Sequence, residues 1–206
     1  MSDGPSQTAS PRPFRVTVYA SSSERIDRVY LDAAEELGAR IARAGFDLVW
    51  GGGRYGAMGA VSRGARAAGG RTLGVILQQF IDKNVHCEAA HEMTTLHDMR
   101  SRKRGLDELG DAFVAVPGGL GTLEELLEVL SFKQLGFHHK PVVVLNTAGY
   151  WQPLLDMFER GIEQGFVQPW FRSIWTVAAT PEQALAQLAA STSARGPVDP
   201  RGGGTG

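Results

Sequence analysis

The chain is short of several things that mark particular classes of protein. It holds one cysteine, Cys87, so no disulfide can form within it, which suits a reducing compartment. No apolar run is long enough to cross a bilayer, and the opening residues MSDGPSQTASPRP lack the apolar stretch of a secretory signal. Neither sign of charge is in excess. A formal net charge of -1 argues against a nucleic-acid partner or an anionic membrane. His86, His91 and His97 do not fall into a metal-ligand spacing, and His138-His139 reads as surface or loop, so no metal is expected. What these absences leave is a soluble, cytoplasmic protein.

What is present is an ordinary globular balance, 43% hydrophobic and 21% charged over 206 residues, enough to bury one core. Residues 1–13 and 191–206 are rich in Ser, Pro and Gly and are expected to be disordered tails around a single domain at 14–190. Within it, short apolar strands (RVTVYAS, FDLVW, RTLGVIL, AFVAV, KPVVVLN, SIWTVAA) alternate with helical patterns. A helix from about Glu24 to Ala44 is expected to bury Val29, Ala33, Leu37 and Ile41, and residues 78–95 read as irregular. This alternation predicts a doubly wound, Rossmann-like α/β domain, a parallel sheet with helices on both faces and ligands at the carboxyl ends of the strands.

Two glycine-rich turns follow strands. The first, Gly51-Gly-Gly-Arg-Tyr-Gly-Ala-Met-Gly59, contains a G-x-G-x-x-G, but the next strand ends Ile76-Leu-Gln-Gln79 without the acid that a dinucleotide's ribose requires. The second, Pro117-Gly-Gly-Leu-Gly-Thr122, opens a helix expected to start near Thr122. Bare backbone N–H groups and the positive end of that helix suit a phosphate. No Gly-Lys-Ser or Gly-Lys-Thr follows, which excludes a P-loop ATPase. Basic residues stand nearby in Met99-Arg-Ser-Arg-Lys-Arg104, where Arg102 and Lys103 are candidates for a phosphate or ribose. Thr122-Leu-Glu-Glu125 also matches a capping box, with Glu125 bonding back to the Thr122 N–H. Local sequence leaves capping and catalysis both open for Glu125.

Taken together, PGGLGTLEE preceded by M-x-x-R-K resembles the Lonely guy family of phosphoribohydrolases, also called the lysine-decarboxylase-like group. Ser21-Ser-Ser23, GGGRYGAMG and FKQLGFHHKPVVVLN add to the resemblance, which covers nearly the whole body. It implies a Rossmann-like homodimer, without a cofactor, that hydrolyses the N-glycosidic bond of nucleoside 5′-monophosphates, cytokinin riboside monophosphates or AMP. It implies Arg102 and Glu125 as the catalytic pair, Gly118, Gly119, Gly121 and Thr122 as the phosphate loop, and Ser131 at a substrate-contacting position. Lys103, Glu124 and the pair Gly52-Gly53 complete the expected substrate-binding set. Arg100 and Leu120 depart from the family pattern, as does the 78–95 segment, which leaves the base open.

Two rivals carry different chemistry. A pyridoxal-phosphate decarboxylase needs a Schiff-base lysine, and none of Lys83, Lys103, Lys133 and Lys140 lies in such a motif. A non-catalytic nucleotide or molybdenum-cofactor binding protein would share the fold. A pure phosphate binder has no need of a carboxylate beside the anion, and Glu125 argues against it.

Overall fold

The computed structural model describes residues 12–193. Of the expected tails, residues 1–11 and 194–206 lie outside the described residues, while 191–193 close the last helix, not a tail.

In chain order the strands are β1 (Arg15–Tyr19), β2 (Asp47–Trp50), β3 (Thr72–Leu77), β4 (Glu92–Leu96), β5 (Ala112–Ala115), β6 (Val142–Leu145) and β7 (Thr176–Ala178). The helices are α1 (Arg28–Arg43), α2 (Gly56–Ala67), α3 (Gln78–Asp82), α4 (Met99–Leu109), α5 (Leu120–Gln134), α6 (Gln152–Glu163) and α7 (Pro181–Ser193). The strands form a parallel seven-stranded sheet in the order β4-β3-β2-β1-β5-β6-β7. Because each crossover passes over one face, the sheet is covered on both.

Alternation along the strands sorts the core into two layers. Val16 and Val18 of β1 and Val114 of β5 face one layer, closed by Leu37 and Ile41 of α1, Val61 of α2 and Leu188 of α7. Tyr19 and Phe113 face the other, closed by Leu106 of α4 and by Leu126, Val129 and Leu130 of α5.

The sequence expectations differ from this at particular points. Helix α1 starts at Arg28, and its buried stripe is Ala34, Leu37, Gly38 and Ile41, whereas Val29 is exposed. The 78–95 segment is not irregular throughout. It contains α3 and the edge strand β4, whose sequence EMTTL is mostly partly exposed and so lacks the apolar signature of its neighbours. Chain order reverses between β1 and β5, and the crevice this opens at the strand ends receives both glycine turns and the α4–α5 pair.

Candidate active site

Helix α5 begins at Leu120, earlier than the sequence suggested, with Gly119 as its N-cap and no side-chain cap. Thr122 is therefore inside the first turn, and Glu125 lies a turn further along, bonded to Arg102 and not to the Thr122 N–H. The capping-box expectation fails because the glycine turn itself carries the chain into the helix. Backbone N–H groups from Gly118 to Thr122 find no acceptor among the described residues. A Cβ on Gly118 would strike the buried Thr122 side chain, while Gly119 and Gly121 open onto empty space. This row of free donors at a positive helix end is the local chemistry of an anion site.

Arg102 is brought against Glu125 of α5 by α4. Asp98 caps that helix, accepting the Ser101 N–H at 2.9 Å and its hydroxyl at 2.6 Å; these bonds hold the Asp98 carboxyl below its ordinary value. One turn on, Arg102 points inward and is only 6% exposed. Its Nε donates to the Val75 carbonyl at 3.1 Å, Nη2 to that of Gly51 at 3.4 Å, and Nη1 to Glu125 Oε1 at 3.2 Å. Gly51 has no side chain for a reason: a Cβ there would land on Arg102 Nη2. The first glycine turn thus seats a guanidinium. Gly52, with a φ of +76°, packs on Ile76 and Met93, and Gly53 borders a cavity.

Burial pushes the Glu125 carboxyl up to about 7, against the opposing pull of Arg102, and the charges of Glu124 and Asp107 raise it further. Asp107 is itself raised to about 6 by burial, although the buried Tyr19 hydroxyl donates to it at 2.7 Å. A carboxyl that titrates near neutrality beside a buried guanidinium, in a crevice, is the usual signature of a reactive site.

One cavity borders Arg102 and another borders the glycine turn at the start of α5. The first, of about 370 Å³, runs from Arg102 and Gly51 between Met58, Ile76 and Phe80, and its walls are largely apolar. The other, of about 400 Å³, lies between Ser21, Arg25, Tyr30, Gly119 and Tyr150. Lys103 borders neither. It lies in a separate cleft of about 480 Å³ between α4 and α5, where its Nζ bonds Glu124 at 2.7 Å and Glu128 at 3.1 Å. Glu124 is engaged there, and Ser131 is exposed on another side of α5 from Glu125, six residues on at about 100° per residue. Within this chain the geometry therefore gathers Arg102, Glu125, Gly53 and the Gly118–Thr122 turn, and leaves Lys103, Glu124 and Ser131 apart from them. Two residues that pack here were not singled out for the site from sequence, Gly51 against Arg102 and Tyr150 against Gly118. The Gly51 role had no signal until the side chain it admits was placed.

The profile of a family described as "Possible lysine decarboxylase" matches residues 58–188. A cytokinin riboside 5′-monophosphate phosphoribohydrolase from Rhodococcoides fascians is 42% identical over 187 residues, 89% of this chain and 93% of that protein. One from Arabidopsis thaliana is 39% identical over 174 residues, 84% of this chain and 81% of that protein. Among solved structures, the molybdenum cofactor carrier protein of Chlamydomonas reinhardtii superposes with a TM-score of 0.69 at 27% identity, covering 88% of this chain and 99% of that one.

Proposed function

Since the chain belongs to the Lonely guy family, we propose that it is a phosphoribohydrolase, cleaving the N-glycosidic bond of nucleoside 5′-monophosphates to a free base and ribose 5-phosphate. The observation that carries this reading is the buried Arg102–Glu125 pair lying about one turn along α5 from the unpaired N–H groups of the Gly118–Thr122 turn. In this reading the 5′-phosphate sits on those N–H groups, the ribose lies over Glu125, and the base enters the cavity lined by Met58, Ile76 and Phe80.

The chemistry follows from that placement. As the C1′–N bond lengthens, its electron pair leaves with the base and positive charge grows on C1′ and the ring oxygen. The Glu125 carboxylate stabilises that charge and orients the water that attacks C1′; as the C1′–O bond forms the water gives up one proton and the departing base takes up one, which balances the hydrolysis. Arg102 is anchored by two backbone carbonyls, so it holds Glu125 in place and favours its ionised form against the cost of burial. The phosphate grip turns binding energy into orientation of the sugar. No cofactor enters. Among the described residues, no cluster of three or more His, Cys, Asp or Glu side chains is grouped to hold a metal.

A second copy of the chain is part of the proposal. Leu126 and Leu130 of α5 are buried on the sheet, but Leu127 and Phe132, with Leu135 and Phe137 beyond them, remain exposed. These exposed apolar side chains on α5 and beyond its end suit an isologous pairing with a second copy. The activity is tested with a panel of nucleoside 5′-monophosphates, identifying any base released by chromatography. Release of base from at least one is expected; release from none contradicts the proposal.

A further inference from the structure

Tyr150 follows β6, far in sequence from either glycine turn, yet its hydroxyl donates to the carbonyl oxygen of Gly118 at 2.6 Å. Several features fix the ring that carries it. Ala148 has a φ of +52° and Gly149 one of +73°, and the left-handed region is disfavoured for any residue with a Cβ. Asn146 holds both sides of this turn, donating its N–H to the Ala178 carbonyl at 2.8 Å and accepting the Trp151 N–H on its side chain at 2.7 Å. The Tyr150 ring stands edge-on to Tyr30 at 5.6 Å and to buried Trp151 at 5.0 Å. A strained turn is thus stabilised by its surroundings, and what it presents is one hydroxyl. Such outliers are grounds for a functional hypothesis.

The bond matters because of where its acceptor lies. In a trans peptide the carbonyl and the following N–H point in opposite directions across one plane. Holding the Gly118 carbonyl toward Tyr150 therefore turns the Gly119 N–H away from it. Gly118 and Gly119 have no side chains to resist rotation of that plane, and the Thr122 N–H, four residues on, does not bond the Gly118 carbonyl as a continued helix would require. Tyr150 is the side chain that fixes it.

We infer that Tyr150 is a positioning residue for phosphate: its hydroxyl locks the Gly118–Gly119 peptide so that the N–H groups at the start of α5 are ready for an anion. This rests on the phosphate placement proposed above, but it is read on binding and not on turnover. Without the lock, the peptide samples both orientations and the anion must bear the cost of ordering it.

The test is Tyr150→Phe, which keeps the ring and its contacts. Because Tyr150 is 41% exposed, loss of the hydroxyl leaves the fold intact. Calorimetric affinity for ribose 5-phosphate should fall about tenfold, the size expected for one hydrogen bond. The KM for a nucleoside 5′-monophosphate should rise with a smaller change in kcat, and its advantage over the matching nucleoside should shrink by a similar factor, at an unchanged melting temperature. Wild-type affinity for ribose 5-phosphate in the folded variant would overturn the inference, as would a wild-type chain that does not bind it. A wild-type chain that binds ribose 5-phosphate, releases no base, and loses that affinity in Tyr150→Phe would sink the proposed activity and leave this inference standing.

Discussion

Glu125 is asked to carry negative charge in a place where burial opposes it, and that conflict has measurable consequences. With its carboxyl at about 7, the ionised form needed in the proposed reaction grows in as pH rises through neutrality, so kcat/KM should climb between about pH 6 and 8. Stability moves the other way. Below the ordinary value of 4.5 the folded and unfolded chains both hold the proton, while between 4.5 and about 7 only the folded chain does. The stability that this raised value contributes is complete below 4.5 and is lost as pH rises to about 7. Glu125→Gln lacks this term, so its melting temperature should gain on the wild type across that window. Below pH 4.5 the two should melt closely together, because glutamine resembles the protonated acid and can still accept from Arg102, and the gap should be widest near and above pH 7. The same variant should lose about 10²-fold or more in kcat. Near wild-type turnover would remove Glu125 from the chemistry. Arg102→Ala deletes the strongest influence lowering the Glu125 carboxyl, so it should be comparably inactive, with any residual pH profile displaced to higher pH. Gly51→Ala tests the same contact from its other side: its methyl displaces the guanidinium and should cut kcat while leaving ribose 5-phosphate affinity unchanged.

At the scale of the element, the start of α5 separates two kinds of glycine. Gly118 makes room for Thr122, so Gly118→Ala should cost about 1–3 kcal/mol in denaturant unfolding, as overpacking does. Gly119 opens onto space, so Gly119→Ala should leave stability nearly unchanged but raise the KM for a 5′-monophosphate, its methyl standing where the anion approaches. Equal effects of both substitutions on both quantities would show that the glycines do not divide the work in this way. The comparison also marks what was legible from sequence. The strand-to-helix turn could be read because Pro117-Gly-Gly interrupts two strongly patterned segments, but the T-x-x-E spacing falsely suggested a cap, since spacing does not reveal where a helix begins. Strand β4 escaped notice because an edge strand with polar, partly exposed residues carries little apolar pattern. Arg102 and Glu125 were singled out as a pair through resemblance, and the Gly118–Thr122 turn as an anion site from its glycines and helix end; the structure adds that the pair is in contact. The bond from Tyr150 and the seat at Gly51 were not legible, because each joins segments distant in sequence through contacts that leave no local trace.

For the whole molecule, the parallel sheet and its reversal between β1 and β5 put a helix end, a guanidinium–carboxylate pair and an apolar cavity side by side. The exposed apolar side chains of α5 and the turn after it predict a dimer, and a monomeric mass in solution at micromolar concentration would contradict it. Ser131 lies on that helix, apart from Glu125 in its own chain, so any contact with substrate would have to be made across the pair. The central claim is that this architecture grips a 5′-phosphate in order to break a bond at C1′. It is tested most directly by comparing a nucleoside 5′-monophosphate with its matching nucleoside and quantifying both base and sugar released. The account predicts free base and ribose 5-phosphate in equal amounts from the monophosphate, with turnover of the nucleoside lower by about 10² or more. Equal turnover of the two substrates, or release of inorganic phosphate with the glycosidic bond intact, would contradict it.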